Sequence, residues 1–121
     1  GLETLEKRGH FYSDKITVSG GGSKSDLICQ ISADIFGRPL VRGRTYETSG
    51  LGAAILTAGA LGLFPSIDAA VNRMVHYERT FTPRPENVQI YNRLYKVYRK
   101  IYLRMKDLYQ DIQKITGYPE L

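Results

Sequence analysis

ITVSGGGSKSDLICQISADIFGRPLV, residues 16–41, decides how the chain is read. Ile16-Thr17-Val18 is a β-branched run that stops at three glycines, which predicts a strand entering a tight turn. Ser23 has an oxygen to offer a helix N-terminus, and Asp26, three residues on, can reach back as in a capping box. Leu27, Ile28, Ile31 and Ile35 then recur at helical spacing and predict a helix with one apolar face, closed by Gly37. Pro39-Leu40-Val41 reads as a second strand. Strand, helix and strand joined by short links imply a parallel pair with a right-handed crossover, and hence an α/β fold.

Outward from this unit, Leu2 to Arg8 reads as the end of a helix with Gly9 as its cap. A third helix is expected from about Ser49, carrying the small residues Gly52, Ala53, Ala54, Ala58 and Gly59. A fourth begins at Pro65-Ser66, with Ile67, Ala70, Val71, Met74 and Val75 on one face. Pro83-Arg84-Pro85 is a stiff link, and Pro85 suits a first helical position. The last helix is expected over 86–115. Its stripe of Tyr91, Leu94, Tyr95, Tyr98, Ile101, Tyr102, Met105, Leu108, Tyr109 and Ile112 repeats every 3.5 to 3.6 residues, as on a helix packed by one face. Only two strands are legible, and two strands do not make a finished sheet, so further strands are expected upstream of this piece.

The 121 residues suffice for one domain, and 42% hydrophobic with 24% charged residues is a globular composition. The single cysteine, Cys29, permits no internal disulfide and suits a cytoplasmic setting. A net charge of +5 suits phosphate-bearing partners without choosing among them. The longest uncharged stretch, Thr48 to Ile67, is diluted by glycines and interrupted by Pro65, so it reads as a buried helix and not as a membrane span of about 20 apolar residues.

A strand, three glycines and a helix start together favour an anion, because glycine admits close approach and the helix N-terminus supplies N–H donors. Spacing excludes two familiar schemes. A P-loop requires glycine before the lysine, where Ser23 stands; a dinucleotide fingerprint requires a last glycine where Ser25 stands. His10, His76 and Cys29 lack metal-ligand spacing. Asp34 and Asp68 read as surface helix residues, and Glu47 as an acidic residue facing a helix N-terminus.

The run from Ile16 to Ser25 resembles the adenosine motif of the FGGY carbohydrate kinases, which belong to the actin-like, ribonuclease-H-like ATPase superfamily. The likeness continues through Cys29 to Leu40, through Glu47-Thr48-Ser49-Gly50-Leu51-Gly52-Ala53-Ala54, and into Pro83-Arg84-Pro85-Glu86-Asn87 with the Leu94, Tyr95, Tyr98 and Tyr102 helix. Arg84 departs from the acidic residue common there. The resemblance implies the C-terminal part of the second, nucleotide-side domain. It also implies transfer of a phosphoryl group from MgATP to a sugar or polyol hydroxyl. By position, Gly20, Gly21 and Gly22 would line the adenosine site, with Lys24 beside the phosphates unless it is simply solvated. Ser25 stands where glycerol kinases carry an asparagine near the base. The catalytic carboxylate lies upstream in this family, so the chain is expected to be inactive alone, with ATP or ADP as its own ligand and the sugar bound through the missing part. Exposed apolar faces predict self-association.

Two rival readings remain. The last helix carries Arg93, Lys96, Arg99, Lys100, Arg104, Lys106 and Lys114 against Glu86, Asp107 and Asp111, a surplus that could meet nucleic acid; a solvated outer face is the simpler reading. A kinase-like fold that has lost its chemistry and serves as an interaction module is the other.

Overall fold

The computed structural model describes residues 2–118. Five α-helices and three strands follow in the order α1 (Leu2–Gly9), β1 (Ile16–Val18), α2 (Asp26–Phe36), β2 (Leu40–Gly43), α3 (Thr48–Ala60), α4 (Ile67–Met74), β3 (Tyr77–Phe81) and α5 (Pro85–Thr116). β1 pairs with β2 in parallel, with Ile16 opposite Leu40 and Val18 opposite Arg42. The strand–helix–strand unit read from residues 16–41 is therefore present.

The third strand was not legible. β3 runs antiparallel to β2, with Leu40 opposite Phe81 and Val41 opposite Thr80, which makes β2 the central strand. Four of its five positions are exposed and only Phe81 is buried. An edge strand of this kind is held by backbone pairing, so Tyr77-Glu78-Arg79-Thr80 carries no apolar alternation to announce it.

The core is small: Cys29 and Ala33 of α2 meet Leu40 of β2 and Phe81 of β3, with Val18 against them. This corrects the expected apolar face of α2 as the one that packs. Leu27, Ile28 and Ile35 are 68%, 52% and 48% exposed, and the buried face is Cys29, Ala33 and Asp34. The helix turns its small residues to the sheet because they admit close approach, and its branched residues lie on the opposite side.

Gly37 ends α2 in the left-handed conformation at φ 61°, its N–H returning to Ala33. Ser66 caps α4, its hydroxyl accepting from Ala69 N at 3.1 Å. α1 is tied on by the buried Glu6, whose carboxylate accepts from Ser13 N at 2.9 Å and takes a bidentate pair from Arg38. α5 packs on α2 through its first turns, and none of its residues is buried. The tyrosine stripe expected to pack is thus exposed along most of its length, with Tyr98, Tyr102 and Leu108 at 68%, 65% and 58%. No helix among the described residues is long and apolar enough to cross a membrane.

Candidate functional site

The glycine turn sits at the C-terminal end of β1. Gly20 adopts φ 85° and ψ −178°, a conformation open essentially only to glycine, and its N–H donates to Tyr46 O at 3.2 Å. Gly21 to Lys24 then form one turn of 3₁₀-helix. The helix start expected at Ser23 is thereby displaced. The Ser23 side chain is buried and donates to Gly20 O at 2.6 Å. The cap is Ser25, extended at φ −89°, whose hydroxyl accepts from Ile28 N at 3.3 Å. Asp26, expected as the capping-box partner, instead points toward two arginines. A 3₁₀ turn inserted between strand and helix shifts the cap by two residues, which a glycine run does not reveal in sequence.

Gly21 and Gly22 differ from Gly20. Neither has a backbone conformation that calls for glycine, and a Cβ added to either would meet nothing within 4 Å. The chain's own packing therefore gives no reason for glycine at these two positions. A ligand lying close against the turn would.

Beneath the turn is an ionic cluster built around the buried Arg42. Arg42, 6% exposed on β2, donates through Nη1 to Ser23 O at 3.1 Å and to Asp26 Oδ1 at 2.7 Å, and through Nε to Glu78 Oε2 at 3.1 Å. Arg79 pairs with the other Asp26 oxygen, and both guanidiniums lie over the Phe81 ring. The hydrogen bond that Arg42 donates to Asp26 and the neighbouring Glu78 hold Arg42 firmly protonated, against the burial that opposes its charge. Lys24 rests its ammonium 5.2 Å from the centre of the Tyr46 ring, and Tyr46 reaches Glu78 at 3.4 Å. Ser19 and Thr48 hydroxyls meet at 3.3 Å, bringing the start of α3 beside the turn. Glu47 occupies the cap position of α3 without a side-chain cap bond.

All five site residues read from the sequence, Gly20, Gly21, Gly22, Lys24 and Ser25, thus share one turn. Arg42 was missed, although the period of two in a strand places it on the same face as the buried Leu40, where an arginine is unusual. Asp34 was misread. It is fully buried and not on the surface, accepting from Arg84, Asn87 and Gln30. Its partner Arg84 is the residue that departs from the expected acid. Cys29 is buried, donating to Ser23 O at 3.2 Å. Among the described residues no group of three or more His, Cys, Asp and Glu could hold a metal ion.

A separate groove of about 690 Å³ lies between Glu3 and the α5 residues Asn92, Tyr95, Lys96, Arg99, Lys100 and Leu103. Its walls are exposed side chains, with no buried polar group aimed into it, so the glycine turn is the better-built site.

A family model described as the FGGY family of carbohydrate kinases, C-terminal domain, matches residues 1–61. The chain belongs to the FGGY family of carbohydrate kinases. Xylulose kinase of Staphylococcus epidermidis is 36% identical over 116 residues, 96% of this chain and 23% of the relative. An FGGY carbohydrate kinase domain-containing protein of Xenopus laevis is 39% identical over 111 residues, 92% of this chain and 20% of the relative. The crystal structure of ligand-bound xylulose kinase from Lactobacillus acidophilus superposes with a TM-score of 0.74 at 26% identity, over 82% of this chain and 20% of that one. This FGGY chain therefore spans about a fifth of the length of the relatives it matches.

Proposed function

We propose that this chain is the adenosine-side piece of an ATP-dependent carbohydrate kinase with an actin-like domain, acting in the cytoplasm. The reaction joins a sugar or polyol hydroxyl oxygen to the γ-phosphorus of MgATP. The bond from that phosphorus to the β,γ-bridging oxygen breaks, ADP leaves, and the hydroxyl proton passes to a base. That base is placed outside this chain, as are the sugar pocket and the groups that hold magnesium. Phosphoryl transfer depends chiefly on positioning and charge stabilisation, and the share assigned to this chain is positioning the nucleotide.

The observation that carries the proposal is the open space above Gly21 and Gly22 in a turn fastened at both ends. Backbone of Gly20, Gly21 and Gly22 would approach the adenosine and α-phosphate. Lys24, whose ammonium rests against the exposed side of the turn over Tyr46, can swing toward phosphate. The Ser25 hydroxyl, already accepting one bond from the helix, retains its proton for a base or ribose acceptor.

The test is ADP release by the full-length protein given MgATP and a panel of pentuloses, polyols and aldonates. Release dependent on one compound supports the proposal and names the substrate. Silence across the panel from folded protein that also fails to bind MgADP overturns it.

A further inference from the structure

We infer that Arg42 is the positioning residue of the nucleotide turn, setting ATP affinity through Ser23 and Asp26 without touching the nucleotide. The inference rests on the nucleotide reading of the turn. The Arg42 side chain is only 7% exposed, so its guanidinium cannot itself meet a phosphate. What it does meet is the far end of the turn. One nitrogen, Nη1, serves both Ser23 O, inside the 3₁₀ turn, and Asp26, the first residue of α2. The near end is fixed by Gly20 N on Tyr46 O. The stretch between them, Gly21 and Gly22, has no side chain to anchor it, so its distance from a ligand is set by its two ends.

Glu78 on β3 holds Arg42 from the other side through Nε, and the Phe81 ring lies under it. The planar fork is thus fixed in one orientation by the sheet and presents the turn in one orientation to solvent. A lysine offers a single point charge and cannot serve Ser23 O, Asp26 and Glu78 together. Arg79 is the internal comparison. It shares Asp26 and Phe81 with Arg42 but makes no bond to the turn, and it is 55% exposed.

The experiment uses the full-length protein and its Arg42→Lys, Arg42→Gln, Asp26→Asn and Arg79→Gln variants. It measures the MgADP dissociation constant, KM for ATP, KM for whichever sugar the panel selects, kcat and the thermal midpoint. The expected result is a rise of about tenfold or more in KM for ATP and in the MgADP constant for Arg42→Lys and Arg42→Gln, matching loss of a charge-assisted hydrogen bond. Sugar KM and kcat at saturating ATP should stay within about threefold of wild type. Asp26→Asn, at a half-exposed position, should shift nucleotide affinity in the same direction and covers the case in which Arg42→Gln does not fold. Arg79→Gln, which leaves the Arg42 bonds to Ser23 O and Asp26 in place, should cost clearly less nucleotide affinity than either Arg42 variant. Wild-type nucleotide affinity in folded Arg42→Lys and Asp26→Asn overturns the inference alone. An equal loss in Arg79→Gln also overturns it, by assigning the effect to overall charge. Failure of wild-type protein to bind MgADP overturns the nucleotide reading and this inference together.

Discussion

The carboxylate of Asp34, buried on α2, takes three hydrogen bonds from Arg84: the backbone N at 2.8 Å, Nε at 3.0 Å and Nη2 at 2.7 Å. Asn87 Nδ2 adds a fourth at 2.7 Å, and Gln30 a fifth at 3.0 Å. One side chain of α2 thereby anchors the start of α5. Burial raises the carboxyl's pKa, but these donors outweigh burial and hold it well below the ordinary carboxylate range. Asp34→Ala strips the partner from five donors at once and should destabilise the fold by roughly 3 kcal/mol. Arg84→Ala should act in the same direction and less, because Asn87, Gln30 and the backbone N–H remain. Urea unfolding of the two variants checks the order; equal stability to wild type in Asp34→Ala would refute the anchor.

Acid should release the same anchor. Asp34 and Glu6 both lie below their ordinary values in the folded chain, Glu6 chiefly through its hydrogen bond from Arg38. A carboxyl with a depressed folded pKa adds stability above its unfolded pKa of about 4, and that stability is lost as pH falls below it. The thermal midpoint should therefore be level from neutrality to about pH 5 and drop steadily below about pH 4. Asp34→Asn should flatten the drop. A midpoint that falls equally in wild type and variant would remove Asp34 as its source.

The three glycines should separate by experiment. Gly20→Ala forces a side chain into φ 85° and should cost about 1–3 kcal/mol of stability. Gly21→Ala and Gly22→Ala meet no neighbour and should stay within about 1 kcal/mol of wild type, or gain slightly through a less flexible unfolded chain. Their expected deficit is in MgADP affinity, by about tenfold, read by calorimetric titration of the full-length protein. Full affinity in both variants would mean that no ligand lies against the turn.

The purified 121-residue chain should release no ADP from MgATP with any sugar. On the proposed reading its described residues supply one face of a nucleotide site and not the base. Sugar-dependent turnover by the chain alone, at any rate above the spontaneous one, would move the base into it.

Self-association of the isolated chain follows from its exposed apolar surface. Val97, Tyr98, Leu103 and Leu108 on α5 and Leu27 and Ile28 on α2 are all more than half exposed. Large apolar side chains exposed in this number favour association in water. Sedimentation equilibrium should show species larger than monomer as concentration rises, and Tyr98→Glu with Leu108→Glu should restore the monomer. Monomer alone at high concentration in the unmodified chain would refute this.

Local signals carried far in this chain. Ile16-Thr17-Val18, the glycines, the Gly37 stop and Pro85 at a helix start each report a backbone preference that acts within a few residues. The strand–helix–strand unit and the long helix were therefore readable, as was the gathering of Gly20, Gly21, Gly22, Lys24 and Ser25 in one turn. Tertiary structure alone decided which face of α2 is buried, because Cys29 and Ala33 fit the sheet more closely than Leu27 and Ile28. It alone recruited Tyr77–Phe81 as the edge strand beside β2, through backbone bonds that leave no apolar pattern. The pairs Asp34–Arg84 and Arg42–Asp26 join residues 50 and 16 positions apart. A charge read in sequence looks solvated; only the packed fold brings the partner that makes its burial affordable, and so only the fold could show that the turn rests on Arg42.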